Sequence, residues 1–179
     1  MPMNTANKLT LLRVFLIPVF LVVAYWGFPG SRYVALGIYI VACLTDLLDG
    51  YIARHYDQIS DFGKFMDPLA DKMLVMAAMC YFVEYGQMPG WCLAIVLLRE
   101  FAVSGMRLVA VEQGRVIAAA WSGKVKTAST MVCLCAMLLN VFGAYAWFDP
   151  LCNAVIVLTT AYSGIEYFIK NADVFREPD

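Results

Sequence analysis

Four aspartates at helical spacing, Asp46, Asp49, Asp67 and Asp71, carry the first chemistry legible in this chain. On a helix advancing roughly 100° per residue, Asp46 and Asp49 fall about 60° apart, with Gly50 and Ala53 on the same side. Asp67 and Asp71 are four residues apart on the following segment and share a face as well. Pro68 suits the first turn of a helix, and Asp67 just before it can cap that turn. The connection between the two segments is short, so antiparallel neighbouring helices are expected, with all four carboxylates converging on one volume. Such a group repels itself, the more so at low dielectric. A divalent cation removes the conflict, because carboxylate oxygens are the hard ligands that Mg²⁺, Mn²⁺ and Ca²⁺ prefer. Four of them could serve two metals that share bridging oxygens. Gly50, Ala53 and Gly63 let a ligand approach the backbone, and Arg54 offers a cationic fork suited to phosphate. Metals, small residues and an arginine together describe a pyrophosphate site.

The elements that hold these residues belong to an oily chain. Its 179 residues are 62% hydrophobic and 15% charged, with a mean hydropathy of +0.70. A soluble domain is nearer half apolar and a quarter charged, so the composition indicates an all-α integral membrane protein. The length suits a single domain over 1–179. A net charge of −1 excludes a basic nucleic-acid binder. A bilayer-spanning helix needs roughly 20 mostly apolar residues, and six windows qualify, near 9–28, 33–54, 66–85, 89–111, 117–142 and 148–169. FPGS at 28–31, YGQMPG at 85–90 and FDP at 148–150 punctuate them. No A-x-A-like cleavage site follows the first window, and Arg13 sits close to its start, which reads as a span rather than a cleavable signal.

With the N-terminus inside, most of the basic residues fall at or toward the cytoplasmic ends, Arg32 falls outside and Arg99 lies within the fourth window. Both termini are therefore expected to be cytoplasmic, with the aspartates at the cytoplasmic mouth of helices two and three. A bland alternative pairs the aspartates with Arg54, Lys64 and Lys72 in a solvated mouth. Ionisable residues within spans are functional by default, which favours the metal reading. Cys43, Cys80, Cys92, Cys133, Cys135 and Cys152 all lie in apolar runs without a CxxC pair, and read as small buried hydrophobes. Tyr25, Trp26, Phe28, Trp91, Trp147 and Phe148 sit at the outer ends of windows as an interfacial belt. His55, the only histidine, follows Arg54 in a polar stretch and reads as solvated.

At the aspartates the sequence resembles the CDP-alcohol phosphotransferase family. That signature, D-x-x-D-G-x-x-A-R followed after eight or nine residues by G-x-x-x-D-x-x-x-D, stands complete as Asp46, Asp49, Gly50, Ala53, Arg54, Gly63, Asp67 and Asp71. NKLTLLR at 7–13 looks like the entry to the family's first helix. FGKFMDPLADK at 62–72, Arg99-Glu100 with Arg107, and GKVKT at 123–127 look like the branch that makes phosphatidylglycerophosphate. The resemblance implies transfer of a phosphatidyl group from CDP-diacylglycerol to sn-glycerol 3-phosphate, giving phosphatidylglycerophosphate and CMP. It implies six helices, a homodimer, and a polar cavity open to the cytoplasm and laterally to lipid. The lack of a visible presequence points to a bacterial cytoplasmic (inner) membrane rather than an organelle. The resemblance further implies two divalent cations, Mg²⁺ or Mn²⁺, held by Asp46, Asp49, Asp67 and Asp71, with Asp71 also the general base. Gly50, Ala53, Arg54 and Gly63 would hold the CDP portion, bordered by Asn7 and Thr10.

An acceptor with its own phosphate needs a second basic cluster, and Lys124, Lys126 and Arg107 are the expected ligands; the plain alternative is that they merely obey the positive-inside rule. Arg99, Glu100 and Arg107 share one face of the fourth helix, at about 0°, 100° and 80°. Arg99 leans toward the cavity and Glu100 toward a structural pair, while Glu166 is open to either reading. Two alternatives stand beside the leading function. One keeps the chemistry with another alcohol, inositol phosphate or phosphatidylglycerol. The other is a divalent-cation transporter, which Arg54 and the basic cluster at the same mouth argue against.

Overall fold

The computed structural model describes residues 5–55, 61–115, 117–118, 120–140 and 145–175; the side chains of 5–7, 46–47, 49–55, 61–65, 67–68, 71 and 175 lie outside that description. The described residues are helical wherever they are regular. The order is α1 (Thr5–Trp26), α2 (Ser31–His55), α3 (Asp61–Glu84), α4 (Gly90–Glu112), α5 (Trp121–Leu139) and α6 (Phe148–Lys170), with a closing 3₁₀ turn at Ala172–Phe175. Lys8–Trp26 and Phe148–Lys170 are long and apolar enough to cross a membrane by length and composition, and Ser31–Thr45 is a shorter apolar stretch.

The chain divides into two compact units, Met1–Tyr85 with Leu138–Val141, and Gly86–Met137 with Phe142–Asp179. In the first, α1 buries Thr10, Arg13, Ile17, Phe20 and Ala24. Their alternating three- and four-residue spacing makes one stripe along the helix. Against it pack Ala35, Tyr39 and Ala42 of α2 and Ala70, Leu74, Ala77, Ala78 and Tyr81 of α3. The many alanines let the helix backbones come close, the usual solution where van der Waals packing drives association. Phe20 and Tyr39 meet with ring centroids 6.0 Å apart, and Tyr25 meets Tyr81 at 5.5 Å. The second contact joins the C-terminal ends of α1 and α3, so these two helices run in the same direction.

In the second unit α4 and α6 are fastened at both ends. Gln87 Nε2 donates to Asp149 Oδ2 at 3.1 Å, and Asn153 Nδ2 donates to the Gln87 carbonyl at 2.9 Å. At the far end Val103, Met106 and Ala110 of α4 pack on Tyr167 and Val174, and Gln113 Nε2 donates to the Val174 carbonyl at 3.0 Å. α4 stops at Gly114, whose φ of 72° is open to glycine at little cost. The Gly114 N–H donates to the Val111 carbonyl and the Arg115 N–H to the Ala110 carbonyl, the paired bonds of a Schellman cap.

α5 is shorter than the apolar run from 117 to 142 suggests. Ile117 and Ala120 pack against the end of α4 rather than opening the helix, and Asn140, in the left-handed region at φ 52°, stands just past its other end. Polarity in α6 is inverted relative to a soluble helix. Its buried face includes Asn153, Thr160 and Ser163, while Leu158, Tyr162, Ile165 and Ile169 are exposed. Exposed apolar stripes of this kind suit hydrocarbon surroundings. All six cysteines are free thiols, but only Cys92 and Cys152 are buried as expected; Cys43, Cys133 and Cys135 are partly buried and Cys80 is exposed.

Candidate functional site

The signature residues occupy helical backbone on two consecutive elements of the first unit. Asp46, Asp49, Gly50, Ala53 and Arg54 lie in the C-terminal part of α2, and Gly63, Asp67 and Asp71 in the N-terminal part of α3. The two stretches flank residues 56–60. Helical periodicity therefore holds for each aspartate pair, one pair preceding the α2–α3 connection and the other following it. Their side chains lie outside the described residues, as does that of Asn7. Among the described residues no three His, Cys, Asp or Glu side chains gather as a metal site. The donor chemistry of the four aspartates fits hard divalent cations, since each can offer two anionic oxygens.

α1 brings two polar side chains to the level of Asp46. Thr10 is 1% exposed and Arg13 is fully buried. α1 packs on both α2 and α3. Phe20 opposes Tyr39, and α2 returns antiparallel after the turn at 27–30, so Arg13 and Asp46, each seven residues from that contact, stand at matching heights along the bundle. Burial of an arginine is costly and rare. From the sequence Arg13 reads as a charge near the start of the first span, within the NKLTLLR entry, and not as a buried group. The available signal was its place in the three-and-four spacing of buried α1 positions.

The second unit assembles a polar cluster where α4, α5 and α6 meet. Arg99 Nη1 donates to Glu100 Oε1 at 2.9 Å, and Lys126 Nζ donates to the same oxygen at 2.6 Å. Arg99 Nη2 donates to Ser163 Oγ at 2.7 Å. The side chains of Arg99, Glu100 and Lys126 are only 13%, 12% and 6% exposed. Glycines make the room. A Cβ on Gly164 would sit 3.2 Å from Arg99 Cγ, and one on Gly123 would sit 3.5 Å from Arg99 Nη2. Charge-assisted bonds of this length are about twice as strong as neutral ones, so the three charged groups hold one another in place.

The expected acceptor residues are thus sorted by the fold. Arg99 and Lys126 come together around Glu100. Arg107 stands two turns along α4 from Arg99, where its Nε donates to Tyr167 Oη at 2.9 Å and its guanidinium lies 5.5 Å from the Tyr167 ring centre. Lys124 is exposed, two residues and about 200° around α5 from Lys126. Glu166 pairs with Lys170 one turn on, along the exposed edge of α6. Ser163 and Tyr167 had no sequence signal of their own, being ordinary residues of an apolar window.

Comparison with known proteins covers nearly the whole chain. The family model described as CDP-alcohol phosphatidyltransferase matches residues 3–163. The CDP-diacylglycerol–glycerol-3-phosphate 3-phosphatidyltransferase of Bacillus subtilis (strain 168) is 38% identical, with 97% of each chain covered. A protein named probable phosphatidylglycerophosphate synthase from Mycobacterium tuberculosis (strain H37Rv) is 37% identical over 93% of this chain and 81% of its own. The CDP-diacylglycerol–glycerol-3-phosphate 3-phosphatidyltransferase of Escherichia coli (strain K12) is also 37% identical, over 93% and 94%.

Proposed function

The chain belongs to the CDP-alcohol phosphatidyltransferase family, and on that premise we propose that it transfers a phosphatidyl group from CDP-diacylglycerol to sn-glycerol 3-phosphate, releasing phosphatidylglycerophosphate and CMP. The observation that carries the reading is the complete eight-position signature, set on α2 and α3 within a family match of nearly full length. The full-length similarity to two glycerol-3-phosphate phosphatidyltransferases supports that acceptor over another alcohol.

Asp46, Asp49, Asp67 and Asp71 would hold two divalent cations, Mg²⁺ or Mn²⁺, which when bound supply charge neutralisation at the pyrophosphate. Gly50, Ala53 and Gly63 leave space for the CDP portion, and Arg54 offers its guanidinium to a phosphate, with Asn7 and Thr10 alongside. Asp71 accepts the proton of the acceptor hydroxyl as its oxygen attacks the phosphorus bearing diacylglycerol and the bond to CMP breaks. Arg99, Arg107, Lys124 and Lys126 are the cations available to the acceptor's own phosphate. A lipid donor and a water-soluble acceptor must meet at an interface. Six membrane spans with both termini in the cytoplasm, a homodimer and an inner-membrane location complete the reading. The inverted polarity of α6 supports embedding in lipid.

The test is CMP release by detergent-purified protein given CDP-diacylglycerol, Mg²⁺ or Mn²⁺, and either glycerol 3-phosphate or inositol phosphate. Release that requires glycerol 3-phosphate, and that Asp71→Asn reduces by about 10²-fold or more, is expected. Release with inositol phosphate alone overturns the acceptor, and no release with either overturns the function.

A further inference from the structure

We propose that Glu100 is a positioning residue for the acceptor's phosphate, acting through Lys126 and Arg99; the inference rests on the acceptor reading above. A single oxygen, Glu100 Oε1, accepts from Arg99 Nη1 at 2.9 Å and from Lys126 Nζ at 2.6 Å. The two nitrogens are therefore at most 5.5 Å apart, the sum of those bonds. Two cationic donors at that separation can both reach one phosphate group. They also repel each other, and in a poorly solvated junction they would not stay together unaided. Lysine is the side chain most dependent on such help, because its ammonium rides on a flexible four-carbon stem.

The surroundings argue for a device that fixes position rather than a pair that merely satisfies charge. One carboxylate serves two cations, so the three side chains keep one net positive charge to offer an anion. Arg99 is gripped a second time by Ser163 at 2.7 Å, while its buried Nε has no hydrogen-bond partner among the described residues. Gly123 and Gly164 stand back from the guanidinium and its stem. Preorganised donors bind a phosphate with less loss of side-chain freedom than mobile ones. Glu100 thus contributes to acceptor affinity without touching the acceptor.

The experiment measures KM for glycerol 3-phosphate and for CDP-diacylglycerol in the full-length protein, for wild type, Glu100→Gln, Glu100→Asp, Lys126→Gln and the Glu100→Gln/Lys126→Gln double variant. Glu100→Gln is expected to raise the glycerol 3-phosphate KM about tenfold and to leave that for CDP-diacylglycerol within about twofold. The double variant should fall well short of the product of the two single effects, because once Lys126 is gone Glu100 has only its hold on Arg99 left to lose. Glu100→Asp keeps the charge, so it tests position even if Glu100→Gln fails to fold. Its shorter arm should raise the same KM by severalfold. A wild-type KM in Glu100→Asp, a parallel rise in both KM values, an additive double variant, or a lower glycerol 3-phosphate KM in Glu100→Gln would each overturn the inference. Wild-type protein that releases no CMP with glycerol 3-phosphate overturns the acceptor reading instead.

Discussion

Replacing Gly164 with alanine probes how tightly the α4–α5–α6 junction is built. The new Cβ would lie 3.2 Å from Arg99 Cγ, whereas carbon atoms settle about 3.5–4.0 Å apart. Arg99 must retreat by a few tenths of an ångström, yet both ends of its guanidinium are held, at 2.9 Å by Glu100 and at 2.7 Å by Ser163. Surrendering one hydrogen bond to a charged group costs about 1.5–3 kcal/mol. Gly105 on α4 supplies the comparison, because among the described residues nothing lies within 4 Å of its Cβ position. Alanine there gains about 0.5–1 kcal/mol from reduced backbone freedom and meets no obstacle. Gly164→Ala gains the same amount inside α6, so that gain cancels and the two variants should differ by about 1.5–3 kcal/mol, which at about 2–4 °C per kcal/mol separates their midpoints by roughly 3–12 °C. Thermal unfolding of both proteins in one detergent, followed by tryptophan fluorescence, reads that difference. If Gly164→Ala unfolds within about 2 °C of Gly105→Ala, Arg99 is not locked and the reasoning from its two hydrogen bonds fails.

Tyr167→Phe removes the oxygen that accepts from Arg107 Nε but keeps the ring beneath the guanidinium. A rise of roughly 2–10-fold in the glycerol 3-phosphate KM is expected, and an unchanged value detaches Arg107 from the acceptor. The Arg115–Asp173 pair, 2.5 Å long but half exposed on both sides, should matter little to stability. Asp173→Ala is expected to cost no more than about 1 kcal/mol in chemical denaturation, and a larger loss would mean the closing turn bears more of the fold than its exposure suggests. Removing divalent cations with a chelator should abolish CMP release, and added Mg²⁺ or Mn²⁺ should restore it. Activity that persists in the chelator would remove the metals from the proposal.

Much of the helical layout could be read directly, because hydropathy and turn chemistry are local. The windows 89–111 and 148–169 correspond to α4 (Gly90–Glu112) and α6 (Phe148–Lys170) almost residue for residue. The window 117–142 did not, since an apolar run reads alike whether it starts a helix or packs as a linker, as Ile117 and Ala120 do. The aspartate signature was equally local, its residues being close in sequence and on consecutive helices. The basic cluster was legible only as a set of candidates. Periodicity told that Arg99, Glu100 and Arg107 share a face, and it was silent on what that face meets.

By itself, then, the sequence determined the helical class, the aspartate-bearing pair of helices and the family to which the chain belongs. Each of these depends on spacing along one helix or across one short connection. Only the tertiary structure decided that Lys126 is buried against Glu100 while Lys124 faces out, that Ser163 and Tyr167 of α6 hold Arg99 and Arg107, and that Arg13 lies wholly inside. These contacts, apart from the burial of Arg13, join residues from 26 to 64 positions apart. In a chain whose helices are apolar on most sides, hydropathy gives little sign of which face turns inward, so packing between helices makes that choice.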